Sequence, residues 1–468
     1  MTPDPAFSRK SGVRALLAAA LAFVAAFNAA PLRAQQVLTP DQMRGAAVTA
    51  ITGGQPQLAL SIADALLTRD AQDVTALILK ARAARDLGQF DIAQPAAAQA
   101  WQLAATPQER YDSARVMAQV LASQNQRTRA QLWLRRAVQH APDEQTRQVA
   151  VREFRYVSAR NRWNTQLNLS LAPNSNINNG SVREATQIYD FFSQDYVTAR
   201  LGGAARALAG VEASFGATLR YRLLETERFR TDLLLMGDTR RYRLSREARD
   251  IAPNVSGSDF AFDTLNFGLA HRWRDRTAPM EYQIAALAGA TRYGGAHYSN
   301  TFRLSGGVSR VLDERTRLNL SFGGDATRGP RAPHADALRA GAQLQHRHGS
   351  GALWTGGVTL AASQSDTDAA HFREIRLDLA TEPTWEIFGA TPEMGLSLRS
   401  RDYARFAMFS PDGRRDTEAA VFLTLNFARA EYYGFMPTLT LEASRTHSSI
   451  GLFDMDRLGV QLGVRSAF

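Results

Sequence analysis

Hydrophobic and polar positions follow two different periods along this chain, and the change falls near Trp163. Between residues 36 and 160, small and apolar residues recur at helical spacing, with abundant alanine, the best helix former. Gly54-x-Pro56-x-x-Ala59 with Ala63 and Leu66 returns 34 residues later as Gly88-x-Phe90-x-x-Ala93 with Ala97 and Ala100. A third copy, displaced by three residues, reads Ala130, Leu134 and Ala137 and ends at Pro142. That period predicts a stack of about three tetratricopeptide-like helix pairs, with Leu77 and Ala81 as first-helix contacts. Any alanine-rich array of helical hairpins fits the same spacing. Either stack offers a concave surface suited to an extended peptide or protein partner. Trp101 and Trp133 are expected to fill its core. The stretch 145–160 carries Val149, Phe154 and Val157 and runs into strand-like sequence without a Gly/Ser linker, so the helical domain is expected to be held close to the strands.

From Trp163 onward the period is two. Leu167, Leu169 and Leu171 alternate with Gln166, Asn168 and Ser170, and Val421, Leu423, Leu425 and Phe427 enclose Phe422, Thr424 and Asn426. One apolar and one polar face suits a membrane barrel, with lipid outside and water inside, or the half-buried strands of a soluble sandwich or propeller. About fourteen strands are predicted, starting near Asn164, Leu208, Phe229, Phe262, Glu281, Ser299, Arg317, Ala337, Leu353, Phe372, Pro392, Glu418, Phe435 and Arg457. Connections after odd strands tend to be long, as in 174–204, 242–259 and 401–417. Those after even strands are tight, as in 225–227, 275–279 and 313–315. Long outer loops and short periplasmic turns are the topology of an outer-membrane barrel. The last strand places Leu458, Val460, Leu462, Val464, Ser466 and the terminal Phe468 on one face. An outward terminal Phe resembles the signal read by barrel-assembly machinery, although Ser466 stands where an aromatic is usual.

The N-terminus adds a compartment. Arg9, Lys10 and Arg14 precede the apolar run Ala15 to Ala30, and Leu32-Arg33-Ala34 offers a small-residue exit before Gln35. This is the pattern of a secretory signal peptide, residues 1–34, rather than of a helical anchor. The sequence holds no cysteine, so the mature chain is expected to be neither a lipoprotein nor dependent on disulfides. The formal charge is +10, almost all of the positive part arginine. These arginines are scattered rather than massed, which argues against nucleic acid as a partner. Mean hydropathy of -0.27 does not oppose a barrel, because lumen-facing residues dilute the average. The fold expected is an N-terminal tetratricopeptide-like α-helical repeat (35–160) followed by a C-terminal antiparallel outer-membrane β-barrel of about 14 strands (161–468).

Several local segments resemble one family, the surface lipoprotein assembly modulators. Pro173-Asn174-Ser175-Asn176-Ile177-Asn178-Asn179 is similar to its Asn-x-Asn-Ile-Asn-Asn segment. Gly413-Arg414-Arg415-Asp416 and Gly434-Phe435-Met436-Pro437 match near the end. So do Ser444 to Ile450, including Ser448, and Leu452 to Arg457, including Asp456, with Phe453 where the family often has Tyr. The architecture covers nearly the whole mature chain, whereas close motif matches cover about a tenth of it. The resemblance implies export or surface display of lipoproteins or related secreted proteins. Its partners would be the client, the periplasmic chaperone that carries it, barrel-assembly machinery and outer-membrane lipid. Each motif also has a plain structural reading. Asn tolerates left-handed backbone and bonds to its own chain, so 173–179 could simply close the top of the first strand. Arg415 and Asp416 could form a lumenal ion pair, and Gly434 and Pro437 a tight turn before the thirteenth strand.

Enzyme chemistry finds little footing. His346-x-His348 has no companion carboxylates for a metal, and no Gly-x-Ser-x-Gly elbow or phosphate-binding Gly loop is present. No cofactor is expected. Two other readings use the same architecture: a polysaccharide exporter, which usually carries more repeats, and a general porin with a helical interaction module. In each case the helical domain would lie in the periplasm and the barrel in the outer membrane.

Overall fold

The computed structural model describes residues 38–468 apart from 191, 407, 408, 467 and 468. The expected leader and Phe468 lie outside the described residues. The chain divides into two compact units, residues 1–105 and 106–468.

Among the described residues, the first unit holds four helices: α1 (Pro40–Thr52), α2 (Pro56–Arg69), α3 (Val74–Asp86) and α4 (Phe90–Leu103). Thr39 opens α1 through a reciprocal capping box with Gln42. Asp73 opens α3 by accepting the Ala76 N–H at 2.9 Å, which satisfies a helix-start donor that has no partner within the helix. Ala59, Ala63 and Leu66 on α2 and Ala93, Ala97 and Ala100 on α4 are all buried. The 34-residue period is therefore a packing period. Gly54 and Gly88 precede these helices at φ 71° and 74°, a backbone that glycine adopts at little cost.

The second unit opens with α5 (Pro107–Ser123), α6 (Arg127–Gln139) and α7 (Glu144–Arg160). The third copy lies on α6, where Ala130, Leu134 and Ala137 are buried. Asn125, at φ 63°, stands where the earlier copies have glycine. On α7 the buried residues are Ala150, Phe154 and Val157, and Val149 is half-buried. Trp101 and Trp133 are also half-buried rather than core, and the Arg136 guanidinium lies 4.1 Å from the centre of the Trp133 ring. Arg115 on α5 grips the Glu153 carboxylate of α7 through Nε at 2.9 Å and Nη2 at 2.6 Å.

Two residues after α7 the sheet begins with β1 (Trp163–Asn174). A separate hairpin, β2 (Ala185–Asp190) and β3 (Asp195–Arg200), comes next, inside a stretch that the sequence suggested was one long loop. The remaining strands are β4 (Gly210–Glu225), β5 (Phe229–Leu244), β6 (Phe262–Arg274), β7 (Met280–Tyr293), β8 (Ala296–Val311), β9 (Thr316–Arg328) and β10 (Ala335–Arg347). They continue with β11 (Leu353–Ser365), β12 (Phe372–Glu382), β13 (Thr391–Tyr403), β14 (Arg414–Asn426), β15 (Phe435–Ser448) and β16 (Met455–Ser466). β1 and β4 to β16 form a closed antiparallel barrel of fourteen strands, each beside its neighbours in sequence, with β16 meeting β1. Closure removes the unpaired edges that an open sheet would expose.

Register places Leu265, Phe267 and Leu269 of β6, Leu318, Leu320 and Phe322 of β9, and Ile375, Leu377 and Leu379 of β12 on the outer surface. Most of these side chains are about half exposed. Large apolar side chains displayed around a whole barrel are solvated by lipid, not water. Aromatic residues mark the rim nearest α5 to α7: Trp163 packs on Tyr221 at 4.7 Å and Trp273 stacks on Tyr282 at 5.3 Å. Outward pairs such as Arg241–Asp263 and Arg415–Asp402, both at 2.8 Å, mark the opposite rim. Among the described residues, no helix is long and apolar enough to cross a membrane.

The alternation of loop lengths holds in part. The connections 175–209 and 245–261 are long, yet β7 and β8 at the same rim are joined by Gly294 and Gly295 alone. Both sit at positive φ, 57° and 76°, the backbone that a two-residue hairpin requires.

Candidate functional site

Most of the motif residues meet in one place, a cap over the barrel rim opposite α5 to α7. Asn174 ends β1, and its Oδ1 accepts the Asn176 N–H at 2.9 Å. Asn176 is almost wholly buried. Its Oδ1 accepts the Gly180 N–H at 3.0 Å while its Nδ2 donates to the carbonyls of Gly180 and Asp456 at 2.9 and 3.4 Å. Asn178 donates to the Ala204 and Arg206 carbonyls, each at 2.8 Å, and accepts the Leu208 N–H at 2.9 Å. Asn179 takes the left-handed backbone at φ 55° and accepts from Arg457. Ile177 is buried with Leu208, Leu244, Ala248, Ala252 and Phe260. The segment thus closes the top of the first strand by spending its amides on backbone that no ladder serves.

Across the cap lies an ion pair, and it is not the one the sequence suggested. Arg414, not Arg415, pairs with Asp416, through Nε at 2.9 Å and Nη2 at 2.5 Å. The reason is the two-residue pleat: positions 414 and 416 share the inner face, whereas 415 points outward to Asp402. Arg414 and Asp416 are both buried. The Arg414 guanidinium lies 3.5 Å from the Phe453 ring centre, 4.5 Å from Tyr403 and 5.1 Å from Phe406. Such aromatic faces favour a cation taken out of water.

Ser448 is buried and accepts the Ile450 N–H at 3.2 Å. Its own N–H donates to Asp454 Oδ1 at 2.7 Å. Asp454 is the hub that sequence reasoning missed. Its carboxylate also takes Arg183 at 2.7 Å, and its carbonyl accepts the Val182 N–H at 3.0 Å. It lies within the recognised segment Leu452 to Arg457 but was not singled out there, because nothing in its spacing to Arg183 could be read from the chain. Asp456 contributes its carbonyl to Asn176 and turns its side chain outward, 3.6 Å from Arg445.

Gly434 and Pro437 belong to the other rim. Gly434, at φ 74°, ends the eight-residue connection 427–434, which is longer than the tight turn expected. Pro437 is not in that turn; it lies within β15 opposite Val464, near a strand end where its missing N–H is tolerated. The helices hold this connection. Arg135 on α6 donates to the carbonyls of Tyr433 at 3.1 Å and Gly434 at 2.8 Å, and to Ser466 Oγ of β16 at 2.9 Å. Its guanidinium lies 4.5 Å from the centre of the Phe435 ring and 4.9 Å from that of Phe154. Gln139 accepts the Tyr433 N–H at 2.7 Å, and Arg147 pairs with Glu431. Burial pulls Arg135 below its ordinary basicity, opposed by Glu431.

Between the rims the inner wall carries ion pairs, including Arg401–Glu374 at 2.5 Å, Arg376–Asp378 at 2.9 Å and Arg230–Asp232 at 2.8 Å. His346 bonds Thr316 at 3.0 Å and His348 bonds Ser350 at 2.9 Å. Among the described residues no group of three or more His, Asp or Glu side chains could hold a metal ion.

The fold and these rims define a fourteen-stranded membrane-spanning β-barrel with an attached helical region. The chain belongs to the surface lipoprotein assembly modifier family, which it matches over residues 163–468, the entire barrel. No curated protein matches it significantly. Solved structures similar to it include a BenF-like porin from Pseudomonas fluorescens (9% identical, TM-score 0.32) and Acinetobacter baumannii OccAB3 (6%, 0.34). Each aligns over 65% of this chain and 98% of its own. A bacterial polysaccharide outer membrane secretin aligns over the same shares, 9% identical with a TM-score of 0.32. Likeness at this level does not bear on what the chain handles.

Proposed function

We propose that this protein is an outer-membrane translocator that carries lipoproteins, or related secreted proteins, to the cell surface. The observation that carries this reading is membership of the surface lipoprotein assembly modifier family across the whole barrel. On this reading the helices face the periplasm and the cap faces outward. The helical repeat captures an incompletely folded client or its chaperone. The ion-paired inner wall supplies hydrogen bonds during passage, and folding of the client outside biases direction. Tethering a client beside the pore raises its local concentration to the order of millimolar.

The test is to co-express the full chain with a genetically linked lipoprotein and measure surface exposure by protease shaving. Export should depend on the barrel. Removing 38–105, while keeping the helices that grip the barrel turn, should reduce export most when client is scarce. Full surface exposure in cells lacking the protein would overturn the reading.

A further inference from the structure

The seams of the barrel are not alike. On one edge, β1 pairs with β4 over its whole length, from Trp163↔Tyr221 to Asn174↔Gly210. On its other edge, the register with β16 consists of Leu169↔Val464, Ser170↔Gly463, Leu171↔Leu462 and Asn174↔Gly459. Where both strands are described, Leu167 and Asn168 stand opposite Ser466 and Arg465 without a register pair, and pairing lapses again at Ala172 and Pro173.

Local chemistry explains part of this weakness. Pro173 has no N–H to donate. Gly459 and Gly463 on the facing strand offer no side chain for cross-strand packing. At the cap end of the same seam, a groove of about 530 Å³ opens on the outer surface, with Pro173, Val211, Leu458 and Val460 among its lining. At the helix end, Arg135 holds Ser466, near the end of β16 and beside the unpaired stretch. The helical region therefore grips the strand whose edge is loosest.

We propose that the β1–β16 seam parts to let the acyl chains of a lipid-anchored client leave sideways, while its polypeptide passes through the lumen. This inference rests on the lipoprotein-display reading above and deepens it. A polypeptide needs polar partners along its path, but an acyl chain drawn into a water-lined lumen would lose the hydrophobic transfer that anchors it. A seam that opens to lipid satisfies both parts of such a client at once. The groove lies where those chains would emerge, continuous with the seam and lined mainly by apolar side chains.

The chain has no cysteine, so an engineered pair can staple one seam alone. Leu169→Cys with Val464→Cys joins β1 to β16, and Leu423→Cys with Leu441→Cys joins β14 to β15 as the control. Non-reducing gels report bond formation, and heat-modifiable migration reports an intact barrel. The β1–β16 staple should lower surface display of an acylated client about tenfold or more, with recovery on reduction. The control staple should leave that display unchanged. The β1–β16 staple should also spare the same client with its acylation site removed. Undiminished display with the bond formed would overturn the proposal, as would equal loss of the acylated and unacylated clients. Failure of the unstapled protein to display either client would instead refute the translocator reading and take this inference with it.

Discussion

At the cap rim, Asn176 bonds the Gly180 backbone four residues away, Asn178 bonds the Ala204 and Arg206 carbonyls at the far end of the same connection, and Asn176 also reaches the Asp456 carbonyl. At the helix rim, by contrast, the connection 427–434 is held by Arg135, a side chain almost three hundred residues away. The bonds within 174–208 form with the loop itself, whereas those to Asp454 and Asp456 join that loop to the start of β16. At the helix rim, Arg135 grips two carbonyls and a hydroxyl of the barrel, so that closure forms only when α6 meets the strands. The cap is thus suited to permanence, and the helix rim to adjustment.

The comparison can be broken most sharply at Arg414. Replacing it with Met leaves Asp416 buried without its partner, which should cost about 3–5 kcal/mol in thermal unfolding in detergent. Arg414→Met with Asp416→Leu should recover most of that loss. A double variant as unstable as the single would show that the aromatic box, not the ion pair, sets the cap's stability.

Arg135→Ala should cost about 1.5–3 kcal/mol of helix–rim docking, because hydrogen bonds from a charged group are lost. The expected sign is faster proteolysis between α7 and β1, with barrel heat-modifiability unchanged. An equal loss of barrel assembly would mean that the helix rim is as structural as the cap.

Asn176→Ala strands the Gly180 N–H, for about 1–3 kcal/mol. Cleavage within 180–206 should rise while the helix rim stays protected.

The smallest effect is expected from pH. His140 follows α6 and faces Tyr433 of the rim connection, ring centres 6.3 Å apart; burial, reinforced by Arg110, holds its imidazole below the ordinary value of 6.5. The undocked state then binds more protons as pH falls through that range. Docking is fully favoured above about pH 6.5 and weakens below it. Proteolysis of the α7–β1 junction should be modestly faster at about pH 5.5 than at about pH 8, and His140→Gln should flatten the difference.

The sequence by itself determined the order of elements. Periods of 3.6 and 2 are local consequences of backbone geometry, so the helical region, the fourteen strands and the outward faces could be read directly. The repeat copies could too, since small residues at fixed spacing are what close helix packing demands. The motif segments were also legible as segments. The tertiary structure alone decided what they touch. That Arg414 rather than Arg415 meets Asp416 depends on which pleat face turns inward at that register. The role of Asp454 depends on Arg183 and Val182 being brought over from a loop some 270 residues earlier. The β2–β3 hairpin gave no clear period, because six-residue strands leave too few alternations to count. The β1–β16 seam was the least legible feature. Its strength depends on the pairing of the first strand with the last, and no local pattern in either one records how far that pairing extends.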